Sequence, residues 1–410
     1  MSYAIADREL TQPLAELRLA PEQSGVALLV RRERRPVAFI MTELPSGATL
    51  SPEELDALIS SWAGYEIVSD SLRTELVHQP GNDVPEVQAP RKITVAICTR
   101  ARTDLLKPCL SSVLALPQWG SDAIDVLVID NAPPDDATKR LVESLDGVRY
   151  TVEPRAGLDF ARNRALEEAE GEFVAFLDDD VEVDEQWLSG LQVALAENPD
   201  AAVVTGLVLP YELETKAQIL FEQRGGFRRG FTKRRYRGPH LPGNYLYPAG
   251  SGMFGAGANM VVRRDLARAL GGFDEALDTG PPLPGGGDLD IFFRVVEAGQ
   301  PLVYEPSMLV FHKHRREHHQ LRRQYWTWGT GLMAYLTKTS KVDPRQRPKL
   351  RDLRRWWVLN ELRLLKQSVR DPRENPSDLA LAEFAGGAVG VAGTYRRSRR
   401  RSEKIRAAHR

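Results

Sequence analysis

Apolar residues come in short bursts along most of this chain, and polar stretches break them at regular intervals. From residue 93 the bursts alternate with longer segments whose apolar positions recur every three or four residues. ITVAICT reads as a buried strand and DLLKPCLSSVLAL as a helix. DVLVIDN is a strand, DATKRLVESL and GLDFARNRALEEAEG are helices, EFVAFLDDD is a strand, DEQWLSGLQVALAEN a helix and AAVVTGLVL a strand. Short apolar runs separated by amphipathic helices predict an α/β fold, with a mostly parallel sheet covered on both faces. In such sheets ligands sit beyond the carboxyl ends of the strands. Polar clusters recur at those ends: Thr99 and Arg100, Asp130 and Asn131, and Asp178 to Asp180.

The flanks read differently. Residues 1–79 form a small α+β unit. GVALLVRRERRPVAFIM gives two strands around a polar turn, and SPEELDALISSW gives a helix. Ser51 caps that helix, Pro52 suits its first position and Glu54 completes a capping box. PGNDVPEVQAPRK, with Pro80, Pro85 and Pro90, is a linker over 80–92. The alternating body runs over 93–315. Its pattern loosens after 210, and a Gly-rich, aromatic, basic stretch at 225–258 reads as long loops that close over a ligand. NMVVRRDLARALGGFD resumes with a strand and a short helix. GGGDLDIFFRVVEAG is a helix behind a glycine loop, and PLVYEPSMLVFHKHR is a strand ending in histidine. Residues 316–410 form a helical, basic extension with breaks near Pro344, Pro348, Pro372 and Pro376.

Composition narrows the partners. A chain of 410 residues holds two or three domains. The net charge of −1 carries no message about partners, but FRRGFTKRRYRG (227–238) and YRRSRRRSEKIRAAHR are locally basic. Such tracts are solvated faces, or they meet anions: phospholipid head groups, a phosphorylated substrate or nucleic acid. No nucleic-acid-binding module accompanies them, so nucleic acid is not expected. Cys98 and Cys109 read as free buried thiols of a reducing compartment. MSYAIADREL lacks the charged start and apolar core of a secretory signal, and no apolar run reaches the roughly 18 residues of a membrane span. The expected location is cytoplasmic, with peripheral contact on the inner face of an acidic membrane. Tyr325, Trp326, Trp328 and Tyr335 read either as core or as an interfacial surface. ELRLLKQ and EFAGGAVGVAG would lie on the membrane beside the polybasic tail.

FLDDD raises the sharpest chemical question. At about 4 Å and an effective dielectric near 20, one like-charge pair costs roughly 4 kcal/mol. Three readings make the cluster tolerable: a helix N-cap, a ribose contact, or a divalent cation whose charge cancels the repulsion. Asp178 and Asp180 sit at alternate strand positions and share one side, while Asp179 faces the other. A cation there that bridges a diphosphate would suit a transferase using a nucleotide-linked donor.

The ordered set ITVAICTR, VLVIDN, GLDFARNRAL, EFVAFLDDD, GGFDEAL and GGGDLDIFFRVVEAG resembles the inverting family 2 glycosyltransferases of the GT-A fold over about 93–315. The resemblance implies a role for each matching residue. Asp130 would touch the donor base, bordered by Thr99 and Arg100. Arg162 and Asn163 would lie beside the nucleotide. Asp178 and Asp180 would form the DxD motif, binding ribose and a diphosphate-bound Mn²⁺ or Mg²⁺, with His312 as a third metal ligand. Asp288 would be the general base and Asp290 the second acid of a GEDxDL-like motif, in which Gly287 replaces the usual Glu. Gly257 and Asn259 would shape the acceptor pocket. Read without the resemblance, Asp288 is a helix N-cap, Asp290 a first-turn dipole partner and His312 a structural histidine.

The implied reaction is a metal-dependent single displacement. It moves a sugar from a nucleoside-diphosphate sugar to an acceptor hydroxyl, lipid-linked or on a small molecule, with inversion. Two other classes compete. A sugar-phosphate nucleotidyltransferase would carry a Gly-rich phosphate loop that CTRARTDLLK lacks. A non-catalytic nucleotide-sugar-binding scaffold would be signalled by Gly287. A dehydrogenase is disfavoured because no GxGxxG opens the first helix.

Overall fold

A computed structural model describes residues 2–77, 91–117, 124–372 and 375–409. Most of the linker read at 80–92 lies outside the described residues. The chain opens with β1 (Ser2–Glu9), β2 (Leu17–Arg18), β3 (Gln23–Arg32), β4 (Arg35–Glu43), β5 (Thr49–Leu50) and α1 (Pro52–Val77). Glu33 and Arg34 turn β3 into β4 with positive φ at both residues, the geometry that matches strand twist in a two-residue hairpin. The capping box forms at α1: the Ser51 N–H donates to Glu54 Oε2 at 2.8 Å, and the Glu54 N–H donates to Ser51 Oγ at 3.3 Å. GVALLV is apolar at every position because both faces of β3 are covered. Val26, Leu28 and Val30 pack with Leu55 and Ile59 of α1, while Ala27 and Leu29 pack on Leu207, Leu209 and Leu309. Arg31 crosses the same boundary to Asp184 at 2.6 Å.

The body contains β6 (Ile93–Thr99), α2 (Thr103–Leu114), β7 (Ile124–Asn131), α3 (Ala137–Glu143), β8 (Val148–Glu153), α4 (Leu158–Glu168), β9 (Phe173–Asp178) and β10 (Val181–Val183). It continues through α5 (Trp187–Glu197), β11 (Val203–Pro210), α6 (Lys216–Gln223), β12 (Arg234–Tyr236), β13 (Asn259–Arg263), α7 (Arg264–Ala269), α8 (Gly287–Glu297) and β14 (Leu302–His312). One sheet joins all the strands, in the order β10-β14-β11-β13-β9-β6-β7-β8, with β12 against β14. Pairing is parallel across β9-β6-β7-β8 and between β11 and β14; β13 is antiparallel to both of its neighbours. Residue alternation on β6 shows the two covered faces. Ile93, Val95 and Ile97 pack with Leu106, Leu110 and Val113 of α2, and Ala96 packs with Ala161 and Ala165 of α4. β8, unforeseen in the sequence, is an edge strand whose half-exposed side chains leave no continuous apolar run.

β6 has β7 on one side and β9 on the other, so the direction of winding reverses there. Such a reversal opens a crevice at the carboxyl ends of the strands.

The C-terminal part is α9 (His318–Val342), α10 (Arg347–Arg370), α11 (Ser377–Val389) and α12 (Tyr395–Ala408). Pro348 does not break a helix: it lies in the first turn of α10, where the missing N–H has no intrahelical partner to lose. Tyr325 and Tyr335 are core. The glycine tract is not laid out on the surface. A Cβ at Gly386 would strike the Trp326 carbonyl, and one at Gly329 the Glu383 carbonyl, so small residues let α9 and α11 touch. Among the described residues no helix is long and apolar enough to cross a membrane.

Candidate active site

β9 delivers Asp178 to the crevice, and the chain turns there into β10. Asp178, Asp180 and His312 each offer one ligand atom, all within 4.8 Å of one another. His312 comes from the end of β14, which pairs with β10 in register Val181 to His312. Asp179 turns to the other side, where Thr99 Oγ1 donates to its Oδ2 at 2.7 Å. Arg102 forks over the cluster, with Nη1 donating to Asp179 Oδ1 at 2.5 Å and Nη2 to Asp180 Oδ2 at 2.7 Å. Arg315 stands 3.9 Å from Asp180.

Burial and charge act unequally on these groups. Burial, then the neighbouring Asp180 charge, pushes the Asp178 carboxyl up to about 7. Burial also pushes Asp179 up to about 6, against the pull of Arg102. Burial opposes Asp180 as well, but the charge that His312 carries in the acid range, and then that of Arg102, hold its carboxyl below the ordinary range. Burial drives the His312 imidazole down to about 4, so the ring is neutral at pH 7 and Arg102 supplies the charge that Asp180 feels. His312 Nε2 lies 3.3 Å from Asp180 Oδ1. Two carboxylates and one neutral imidazole form an oxygen and nitrogen donor set that could hold Mn²⁺ or Mg²⁺. The Asp180 repulsion that adds to burial in raising Asp178 is what a cation between the carboxylates would cancel.

Asp130, in the last positions of β7, is fully buried. Tyr150 donates its hydroxyl to Asp130 Oδ2 at 2.9 Å, while Oδ1 has no hydrogen-bond partner. A buried carboxylate oxygen left without a donor costs about 1–3 kcal/mol, so this atom is suited to a ligand N–H or O–H. Asn131 braces the next turn, accepting from the Gly157 N–H at 2.8 Å. Arg100 is exposed at the rim.

A second acidic group surrounds Arg162. Its Nη1 reaches Asp159 Oδ1 at 3.0 Å and Asp278 Oδ2 at 3.6 Å. Asp159 is fully buried, with Oδ2 unpartnered, and burial followed by the Asp278 charge raises its carboxyl far above the ordinary range. Burial pushes Asp278 up to about 6. Asp159, Asp278, Asp178 and Asp288 together outweigh the burial of Arg162 and keep it charged, which ties this group to the first cluster. Asp288 Oδ2 accepts from the Gly257 N–H at 3.1 Å. A Cβ at Gly257 would lie 2.9 Å from Arg162 Nη2 and 3.2 Å from Asp288 Cβ, so glycine keeps the space between them open. Asp288 is not a helix cap; α8 starts at Gly287 and Gly286 precedes it. Gly287 also has a local reason. A Cβ there would strike Asp159 Oδ2 and come within 2.7 Å of Asp278 Oδ2, while the Gly287 N–H donates to Asp278 Oδ2 at 2.9 Å. The place of the missing Glu is filled by carboxylates from other segments.

Three expected site residues are elsewhere. Asn163 donates to the Phe273 carbonyl at 2.9 Å and accepts from the Phe273 N–H at 2.8 Å, so its amide braces the 272–275 loop rather than a nucleotide. Asn259 is fully buried and saturated by Trp187 Nε1 and the carbonyls of Leu207 and Met308, because its strand position points into the sheet's helix layer. Asp290 lies two residues beyond Asp288, roughly 200° around the helix. It is buried against Arg294 at 2.8 Å and against Lys338, away from the pocket. Conversely, Arg102, Arg315, Asp159 and Asp278 stand in the site without having been foreseen. Arg102 could have been found two residues after Arg100; Asp278 has no signature in EALDTGPP.

Comparison with known proteins agrees with the fold and the strand-end pattern. Residues 94–271 match the family model described as Glycosyl transferase family 2. Over that span the chain is similar to family 2 glycosyltransferases. The matched glycosyltransferase span contains Asp130, Arg162, Asp178 and Asp180, but it ends before Asp288 and His312. The chain is 30% identical to a pre-mycofactocin glycosyltransferase of Mycobacterium tuberculosis, over 57% of this chain and 45% of that protein. It is 25% identical to a glucosyl-dolichyl phosphate glucuronosyltransferase of Haloferax volcanii, over 74% of this chain and 96% of that protein. The chain thus spans about half the length of the first of these relatives. The mannosyltransferase PcManGT from Pyrobaculum calidifontis, solved with GDP-Man and Mn²⁺, superposes with a TM-score of 0.52 at 16% identity, covering 82% of this chain and 97% of that one. That likeness establishes the GT-A fold of the glycosyltransferase domain.

Proposed function

We propose that this protein is a metal-dependent, inverting glycosyltransferase that moves a sugar from a nucleoside-diphosphate sugar to an acceptor hydroxyl. The observation that carries this reading is the meeting of Asp178, Asp180 and His312 ligand atoms within 4.8 Å, in the crevice that also holds the unpartnered Asp130 Oδ1. Asp130 binds the donor base and Asp178 the ribose, with Thr99 and Arg100 at the border of the base. Asp178, Asp180 and His312 would hold the divalent ion, which when bound stabilises negative charge on the departing diphosphate. The GDP-Man named for the structural neighbour is consistent with a nucleotide-sugar donor.

Asp288 accepts the proton of the acceptor hydroxyl at its carboxylate oxygen. The Gly257 N–H orients that carboxylate, and the absent side chain at Gly257 leaves room for the acceptor. Arg162 places positive charge beside Asp288 and the donor carboxylates. The acceptor oxygen then attacks from the face opposite the leaving group, through an oxocarbenium-like transition state, and the anomeric configuration inverts.

The test is a panel of nucleotide-sugars with Mn²⁺ or Mg²⁺, chelator controls, and NMR of the product's anomeric centre. Transfer that needs the ion and inverts supports the reading. Donor binding without transfer to any acceptor would favour a non-catalytic nucleotide-sugar binder.

The same reading includes contact with an acidic membrane. The outer face of α10 exposes Trp356, Leu359, Leu362 and Val369 beside Arg355, Arg363 and Lys366. Each such cation contributes about 1 kcal/mol near an anionic surface. Flotation of the full chain with anionic liposomes, and not with neutral ones, is the expected result; no flotation removes membrane contact.

A further inference from the structure

Behind His312, on the side away from Asp178 and Asp180, lies a file of buried polar groups that the transfer reading does not use. His312 Nδ1 faces His314 Nδ1 at 3.2 Å. His314 Nε2 faces Glu222 Oε1 at 2.8 Å. Glu222 Oε2 lies 3.1 Å from Arg228 Nε. Glu222 is 0% exposed, His314 5% and His312 7%. The file is walled by aromatic rings: Phe221 packs edge-on to His314 at 4.7 Å between centroids, and Phe227 lies 5.2 Å from His312. α6, which carries Glu222, starts with a capping box at Thr215 and Gln218, and the Gln218 amide also reaches the His314 carbonyl at 3.4 Å.

With both rings in their neutral form, hydrogen counting along the file gives one answer. The Glu222 carboxylate, paired with Arg228, only accepts. The hydrogen between it and His314 therefore sits on His314 Nε2. A neutral imidazole has a single ring hydrogen, so His314 Nδ1 is bare and accepts. His312 Nδ1 must then carry the hydrogen that joins the two rings, and His312 Nε2 is left bare. That bare nitrogen points at Asp180 Oδ1, 3.3 Å away. Two lone pairs face each other there, a contact that becomes favourable when a cation lies between them.

We propose that His314 and Glu222 are positioning residues: they fix His312 as the Nδ1–H form and hold its ring so that Nε2 is the metal-ligating atom. The inference rests on the metal-binding part of the function proposed above. Outer groups of this kind change metal affinity by about 10–100-fold.

Two measurements test it on the full chain. Long-range ¹H–¹⁵N NMR of the ¹⁵N-labelled, metal-free protein should show His312 with its hydrogen on Nδ1. A hydrogen on Nε2 overturns the proposal, and this arm needs no variant. Titration with Mn²⁺ alone, read by the EPR signal of free Mn²⁺, should show about 10–100-fold weaker binding for His314→Phe and for Glu222→Leu, whereas Glu222→Gln, which keeps an acceptor, stays within about threefold of the parent. Melting curves accompany each variant, and where His314→Phe does not fold, Glu222→Leu and the ring measurement decide. Parent-like Mn²⁺ affinity in both folded variants overturns the positioning role while leaving the metal site standing. Failure of the parent protein itself to take up Mn²⁺ overturns the metal site and this inference with it.

Discussion

Two acidic triplets surround the pocket, and they are assembled in opposite ways. Asp178, Asp179 and Asp180 are consecutive at the end of β9, and their neutralising groups come from elsewhere: Arg102 and Arg315. Asp159, Asp278 and Asp288 come from α4, from a loop and from α8, and they gather around one buried cation, Arg162. The first triplet has protein cations on one side and a set of ligand atoms on the other. The second has its cation built in and needs no ion. Under the proposed function, a built-in cation suits a group that must position and deprotonate an acceptor, and ligand atoms for a removable cation suit a group that must bind and release a charged donor.

Substitutions can break this contrast, starting with the largest expected effect. Asp180→Ala removes a ligand atom and one arm of the Arg102 fork. Transfer, as kcat/KM at saturating Mn²⁺, should fall by about 10³-fold or more, and Mn²⁺ affinity should fall with it. Activity within tenfold of the parent would return the contiguous triplet to a folding role.

Asp288→Asn should lower kcat by about 10²–10⁴-fold. Calorimetry should find donor and Mn²⁺ binding unchanged, because that change lies in the dispersed triplet. Retained turnover would remove Asp288 as the base.

Gly287→Glu restores the residue that the family motif carries, and the contrast predicts harm rather than gain. The new side chain meets Asp159 and Asp278, so the protein should lose roughly 1–3 kcal/mol of stability, seen as a lower melting temperature. A variant that melts like the parent would show that Asp278 does not fill that place.

The smallest effect concerns pH. Burial raises Asp278 from 3.8 to about 6 in the folded protein. Between those values the folded state keeps a proton that the unfolded state has lost. Its contribution to stability is therefore full below the lower value and is lost as the pH rises to about 6. Asp278→Asn should flatten the fall in melting temperature across that range, and an unchanged slope would assign the titration to another group.

Much of the proposed donor side could be read from the chain directly. Asp130, Asp178 and Asp180 each end an apolar run, and the end of a strand in a parallel sheet is where ligands bind. The proposed acceptor side was harder. Asn163 and Asn259 sit next to pocket residues in sequence, yet one residue of helix or strand turns a side chain onto another face. Asp290 fails for the same reason. Arg102 and Asp278 were missed because each acts across a gap of 77 and 116 residues from its respective partner, Asp179 and Arg162, with no local pattern to mark it.

The sequence by itself determined the succession of strands and helices and the capped start of α1. It also determined the acids at the strand ends. Those features depend on periodicity, capping and strand termination, which act over a few residues. Only the tertiary structure decided which face each polar group takes and which carboxylates share Arg162. It alone showed that Gly287 is glycine because Asp159 and Asp278 occupy its space, and that His312 is backed by His314 and Glu222. These are matters of distance between segments far apart in the chain, and distance is set by packing rather than by local pattern.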